Sequence, residues 1–189
     1  MAGSRQQQPA TDRGFSLLLA DQMCFALCTA SRAVTALYRT LLDELGLTYP
    51  QYLVMLVLWE RGASPIKDLA SALHTDYGTL SPLLKRLEVA GFLRRQRRSD
   101  DERSVEIVLT DVGTALRHQA EGIPSVIGDA MGLDQKTFAT LGAALRQLTA
   151  SVTAHTANLT AASRMRQKED GAGERDEHRR ARRAQRSPA

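Results

Sequence analysis

Two sets of side chains in this sequence can do chemistry. The first is a basic cluster, Arg94, Arg95, Arg97, Arg98 and Arg103 with Asp101 among them, lying between Gly91 and Thr110. Leu93 and the alternating Val105, Ile107 and Leu109 fit a two-stranded ribbon with one buried face. The arginines then crowd its exposed side and tip, where they suit a polyanion such as a DNA backbone. Asp101 is placed to pair with Arg103 and aim its guanidinium at the negative potential of a narrow minor groove. The second set is Cys24 and Cys28, one helical turn apart, which can do thiol chemistry. Other chemistries find no support. His74, His118, His155 and His178 are scattered without metal-ligand spacing. No glycine-rich phosphate loop and no nucleophile-base constellation is present, so no metal, cofactor or catalytic site is expected.

The elements that must position these residues are mostly helices. Upstream of the ribbon, Ile66 to Leu73 and Leu80 to Leu87 repeat apolar residues at helical spacing around the polar stretch His74-Thr-Asp-Tyr-Gly78. The order reads helix, turn, recognition helix, wing. Asp76 or Thr79 can cap the recognition helix, and Pro82 must fall in its first turn or bend it. Thr79, Ser81, Lys85 and Arg86 lie on its expected exposed side, where hydroxyls and long cations touch phosphates or base edges.

A first helix spans Ser16 to Leu45, or begins near Asp21, and Gly46 ends it. Pro50 opens a second helix, Gln51 to Arg61, apolar on nearly every side and so expected at the centre of the core. Pro65 opens the third helix. Thr110 or Asp111 caps a fifth through Ala120, and Glu121-Gly-Ile-Pro124 breaks it. A last long helix runs from Asp134 to about Ala162, with Phe138, Leu141, Leu145, Leu148, Val152 and Leu159 along one side.

The expected organisation is an N-terminal arm over 1–15, one domain over 16–162 and a disordered basic tail over 163–189. The chain has a formal net charge of +4, and residues 164–189 alone hold nine Lys/Arg against five Asp/Glu, so the tail carries the whole excess. Global charge is therefore no argument for nucleic-acid binding; only the local clustering in the wing is. No apolar run reaches the ~20 residues that cross a bilayer, and the first residues lack a secretory signal pattern. A cytoplasmic protein with reduced thiols and no membrane partner is expected. Long first and last helices with apolar stripes expose too much apolar surface in a monomer, so a two-fold homodimer joined through them is expected. Such a dimer presents two recognition helices to a palindromic double-stranded DNA operator.

The sequence resembles the MarR family of winged-helix repressors, and within it the organic hydroperoxide resistance repressors. The resemblance rests on Asp21-Gln-Met-Cys24-Phe-Ala-Leu, on Leu41 through Thr48-Tyr-Pro-Gln-Tyr52 with the apolar run to Trp59-Glu60, on Gly78 through Glu88, and on Asp101-Glu-Arg-Ser104, covering roughly residues 17 to 155. It implies a mainly α fold with a small β-wing. It also implies a repressor released from DNA when an organic hydroperoxide oxidises Cys24, with Tyr38 and Tyr49 hydrogen-bonding the reactive sulfur. Tyr38 lies 14 residues beyond Cys24, or ~21 Å along one helix, so the partner subunit must supply it.

If Asp21 caps the first helix, Cys24 sits in its first turn, where the dipole favours a thiolate. A lone helical cysteine ordinarily packs as a small inert hydrophobe, and that reading stays ahead for Cys28. Many relatives carry tyrosine at that position, and others a distant resolving cysteine absent from this chain. A Cys24–Cys28 disulfide would have to distort the helix, whose i and i+4 β-carbons lie ~5 to 6 Å apart. A small cellular thiol is the favoured partner for oxidised Cys24. Phe25, Tyr52 and Trp59 fit core or pocket lining able to select organic peroxides. Two alternatives remain: release by a small aromatic or phenolic ligand, and a thiol peroxidase.

Overall fold

The computed structural model describes residues 16–97 and 105–184, with side chains described to Ser163. Seven helices and a three-stranded antiparallel sheet follow in chain order: α1 (Met23–Asp43), α2 (Tyr49–Arg61), β1 (Ser64–Pro65), α3 (Ile66–Ala72), α4 (Tyr77–Val89), β2 (Leu93–Arg97), β3 (Val105–Leu109), α5 (Asp111–Ala120), α6 (Ile123–Met131) and α7 (Gln135–Ala184). The chain divides into two compact units, residues 1–131 and residues 132–189.

In the first unit α2 is the core. Tyr52, Val54, Met55 and Leu58 are fully buried, together with Leu42 of α1, Leu69 of α3, Leu80, Leu84 and Leu87 of α4, and Leu93 and Ile107 of the sheet. The near-continuous apolarity of α2 is explained by neighbours on all sides. Its start is fixed by Gln51, whose side-chain carbonyl accepts from the backbone N–H of Thr48 at 2.8 Å and from its hydroxyl at 2.9 Å. The helix begins at Tyr49, one residue before Pro50, which takes its second position.

The helix-turn-helix and wing occur in the expected order, α3, α4, β2 and β3. Asp76 is the N-cap of α4, its carboxylate accepting from the Thr79 backbone N–H at 2.8 Å. Those bonds hold the Asp76 carboxyl below its usual range, and the cap therefore weakens as pH falls through that lowered value. Pro82 falls in the second turn of α4, one turn later than the first-turn placement, and leaves the Gly78 carbonyl without its usual i+4 donor. The sheet order is β1-β3-β2, so the wing is not a bare ribbon: Ser64 pairs with Ile107 and Pro65 with Glu106. A two-residue strand has no periodicity to read, which is why sequence patterning misses it.

Three other boundaries differ from expectation. Gln22, not Asp21, precedes the first residue of α1, because residues Leu19–Asp21 form a single 3₁₀ turn that uses up Asp21. Helix α6 (Ile123–Met131) follows the Glu121-Gly122 break and was not anticipated; Ile123 and Ile127 bury into the core. Helix α7, capped by Asp134 through Thr137, continues to Ala184 instead of ending near Ala162. The stretch beyond 162 is rich in Arg, with Ala and Glu, all good helix formers, and lacks proline before Pro188.

One junction locks the wing to the body. Gly91, at φ +79°, turns the chain from α4 into β2. Thr110 caps α5, accepting from Gly113 N–H at 3.1 Å and donating its hydroxyl to the Gly91 carbonyl at 2.6 Å. Gly113 packs so tightly that an added β-carbon would lie 1.9 Å from the Phe92 carbonyl oxygen. Gly113→Ala is expected to destabilise the first unit by about 1 to 3 kcal/mol. Thermal unfolding would read this as a midpoint lowered by roughly 5 °C or more; an unchanged midpoint would show the junction to be slack.

Candidate nucleic-acid interface and thiol site

The recognition helix presents Thr79, Lys85 and Arg86 to solvent, and Ser81 is half-buried. Thr79 is not wholly free for a ligand. Its hydroxyl donates to the Asp76 carboxylate at 2.8 Å, so only its acceptor lone pairs remain outward. Arg94, Arg95 and Arg97 are exposed on β2; Arg98, Asp101 and Arg103 lie outside the described residues.

Strand register sorts the described arginines. Leu93 pairs with Leu109, Arg95 with Ile107 and Arg97 with Val105, so these six share one face, while Arg94 and Gln96 point the other way. That face is buried only at its inner end, at Leu93 and Ile107, and Val105 is exposed at the outer end. The expectation of a uniformly buried face is therefore corrected: the wing leaves the body as it lengthens. Arg95 is tied to the last turn of α4, with its backbone N–H donating to Glu88 at 3.2 Å and its guanidinium 3.4 Å from the same carboxylate. Sequence reasoning missed Glu88, whose only signal was a carboxylate beside a basic run. Between the wing and the start of α4 a groove of about 340 Å³ is lined by Ile66, Tyr77, Arg95, Gln96, Arg97 and Val105. Its cationic rim and tyrosine edge suit a sugar-phosphate strand.

At the other end of the first unit, Cys24 occupies the second position of α1 and Cys28 the sixth, and both are exposed free thiols. The first half of α1 is exposed, with only Leu27 half-buried from Met23 to Arg32. Tyr38 lies on the same unbroken helix, so its hydroxyl cannot reach the sulfur of its own chain. Tyr38 and Tyr49 are brought together: their ring centroids lie 4.4 Å apart. Tyr52 joins at 5.9 Å from Tyr38, and Trp59 meets Tyr52 edge-on at 6.1 Å. Burial, and then the neighbouring tyrosines, push the Tyr38 and Tyr52 hydroxyls above their ordinary range, which keeps them protonated donors.

Trp59 is fixed by donating its indole N–H to the Gly113 carbonyl at 2.9 Å. It forms, with Tyr52, Leu56, Arg117 and Pro124, the wall of a cavity of about 420 Å³ between α2, α5 and α6. Phe25, expected as core or pocket lining, is exposed on α1 in the single chain. Among the described residues no group of three or more His, Cys, Asp or Glu gathers at metal-binding distance, and no helix is long and apolar enough to cross a membrane.

Comparison with known proteins gives this arrangement a family. The family model described as transcriptional regulator SarA/Rot matches residues 36–119. The chain is 44% identical over 130 residues to the organic hydroperoxide resistance transcriptional regulator of Bacillus subtilis, covering 69% of this chain and 84% of that protein. It is 48% identical over 115 residues to the transcriptional regulator TtmR of Methylorubrum extorquens, covering 61% of this chain and 59% of TtmR. Reduced AbfR bound to DNA, an AbfR being known from Staphylococcus epidermidis, superposes with a TM-score of 0.54 at 36% identity, covering 69% of this chain and 93% of that one. With the helix-turn-helix, the wing and this degree of identity in place, the chain belongs to the MarR family of winged-helix transcriptional regulators, on its organic hydroperoxide resistance branch.

Proposed function

We propose that the protein is a homodimeric repressor that binds a palindromic operator on double-stranded DNA in the cytoplasm and releases it when an organic hydroperoxide oxidises Cys24. The observation that carries this reading is the placement of an exposed thiol in the first turn of α1 while Tyr38 and Tyr49 cluster at its far end. Two α1 helices running antiparallel across a dimer axis would bring each Cys24 to the partner's Tyr38 and Tyr49. The Tyr38 hydroxyl, pushed above its ordinary range by burial, and the Tyr49 hydroxyl beside it would donate to a thiolate.

In the proposed reaction the Cys24 thiolate attacks the peroxide oxygen, the O–O bond breaks, and an alcohol leaves with a proton from solvent. Cys24 becomes a sulfenic acid. A small cellular thiol then condenses with it to give a mixed disulfide and water. Among the AbfR structures are a reduced form on DNA, an overoxidised form on DNA and a disulfide form. Overoxidised AbfR is thus found bound to DNA, which favours the mixed disulfide as the releasing species here. This chain has no cysteine beyond Cys28 to resolve it from the partner.

The cavity walled by Tyr52, Trp59 and Arg117 favours a second reading, release by a small aromatic or phenolic ligand. Cys24→Ser separates the two. On the thiol reading, an alkyl hydroperoxide no longer releases DNA from the variant in a gel-shift assay; on the ligand reading the response is unchanged.

The crossing of subunits is open to a mixed-dimer test. With Cys24→Ser on one chain and Tyr38→Phe on the other, the remaining Cys24 faces an intact tyrosine and reacts at the wild-type rate. With both changes on one chain it reacts more slowly, by roughly tenfold for one lost charge-assisted hydrogen bond. Equal rates in the two arrangements would refute donation from the partner.

Glu88→Ala gives opposite results for the two roles open to it. If Glu88 holds Arg95 and so sets the angle of the wing, operator affinity falls several-fold while stability changes by less than about 1 kcal/mol. If it merely repels phosphate, affinity rises. We expect the fall, measured by fluorescence anisotropy at fixed salt.

A further inference from the structure

Cys24 and Cys28 stand one turn apart on the unbroken helix α1, both exposed and both free thiols. Every other residue from Met23 to Arg32 except the half-buried Leu27 is exposed too, so the chain leaves this face open. In a helix, side chains four residues apart lie one above the other, and the allowed χ1 wells of both cysteines lean along the axis. The helix holds their β-carbons ~5 to 6 Å apart, against ~3.8 Å in a disulfide. A direct S–S bond is therefore too short by ~1 to 2 Å. One atom inserted between the sulfurs removes the mismatch. Two sulfur bonds of ~2.3 Å, the length found to zinc, meeting at ~100° set the sulfurs ~3.5 Å apart in place of ~2.05 Å, which lengthens the bridge by ~1.5 Å. No turn of the helix has to open.

The bridging atom must be content with two protein sulfurs. Among the described residues no group of three or more His, Cys, Asp or Glu gathers at metal-binding distance, which argues against an ion such as zinc that takes three or four protein ligands. Paired sulfur donors select a soft centre. A trivalent arsenic atom carrying one organic group has two valences left, and meets both conditions. We infer that Cys24 and Cys28 form a chelating site for trivalent organoarsenicals, an input separate from peroxide. The two thiols displace the two hydroxyls of the hydrated arsenical: two S–As bonds form, two As–O bonds break, and the thiol protons leave in two molecules of water. Arsenic stays trivalent, so neither oxidant nor reductant is needed. Once the first S–As bond has formed, the second closes within the molecule at high effective concentration, and a monothiol competes poorly with the pair. The organic group then projects from the first turns of α1. In the proposed dimer it would stand where the partner's Tyr38 and the partner's Tyr49 donate to Cys24, so the adduct releases the operator without oxidation.

Chelation needs one chain only, whereas its effect on DNA rests on the proposed function, and the experiment reads the two apart. The full chain, reduced, is given one equivalent of phenylarsine oxide in millimolar glutathione, and its intact mass is measured. The comparisons are Cys24→Ser, Cys28→Ser, and Cys28→Ser combined with Thr29→Cys, which keeps two thiols on the exposed helix but moves the second off the shared face. The unsubstituted chain is expected to keep one phenylarsenic bridge, lost to a dithiol but not to glutathione, and each variant to bind about a hundredfold more weakly. Equal binding by any of the three would overturn chelation by the pair. In a gel-shift assay the bridged protein is expected to leave its operator; bridged protein that stays on DNA would overturn the coupling of the site to release. An alkyl hydroperoxide is applied to the unsubstituted chain in parallel. Failure to respond to it beside a full response to the arsenical would count against the peroxide reading and leave the chelating site standing.

Discussion

The rise of an α-helix, 1.5 Å per residue, is the constraint on which the sensing arrangement depends. Cys24 and Tyr38 share one unbroken helix, and no rotamer of either closes the gap between them. On the proposed reading, a sulfur at one end and its hydrogen-bond donors at the other would form a complete site only when two copies are set head to tail. The proposed chemistry is thereby tied to quaternary structure by geometry alone. The same rod would make a change at the sulfur a change in how two subunits meet.

The DNA-reading end is built differently, from short elements locked by local polar contacts. Asp76 fixes the start of α4, and Glu88 fastens the end of α4 to Arg95 of the wing. The Thr110 hydroxyl bridges the turn before the wing to the helix after it. β1 adds a third strand that holds β3 from its other side. Among the described residues, recognition helix and wing are thus tied to each other by several contacts. In the proposed dimer such a tied reading head would let a displacement between subunits be felt as misfit to two major grooves instead of being absorbed within one subunit.

Much of this was legible in the sequence because periodicity and capping chemistry are local. The order of α1 to α5, the Asp76 and Thr110 caps, the stop at Gly46 and the buried α2 follow from spacing and side-chain type. What was not legible depended on distant partners. β1 exists because Ser64 and Pro65 meet Ile107 and Glu106 some 40 residues away. Glu88 matters because the chain folds back after Gly91. Helix α6 was hidden by a Gly and a Pro that signalled a break without saying that a new helix follows. The thiol site shows the same division: Cys24 and Cys28 could be placed on one helix, whereas the stacking of Tyr38, Tyr49 and Tyr52 belongs to the packing of α1 on α2.

Whether one sulfur atom can govern the proposed switch is a matter of magnitude. A hydrogen bond to a charged group contributes about 1.5 to 3 kcal/mol, and each thiolate would lose up to two on oxidation. With the donors on the partner, as proposed, that loss would fall on the relative placement of the subunits and not on the stability of either one. A bias of about 3 kcal/mol against the DNA-fitting arrangement corresponds to more than a hundredfold in affinity, so oxidation at one of the two proposed sites would be sufficient. The requirement is that the subunit contacts be strong enough to keep the dimer together while weak enough, near α1, to shift. A helix whose first half packs little against its own chain meets the second condition.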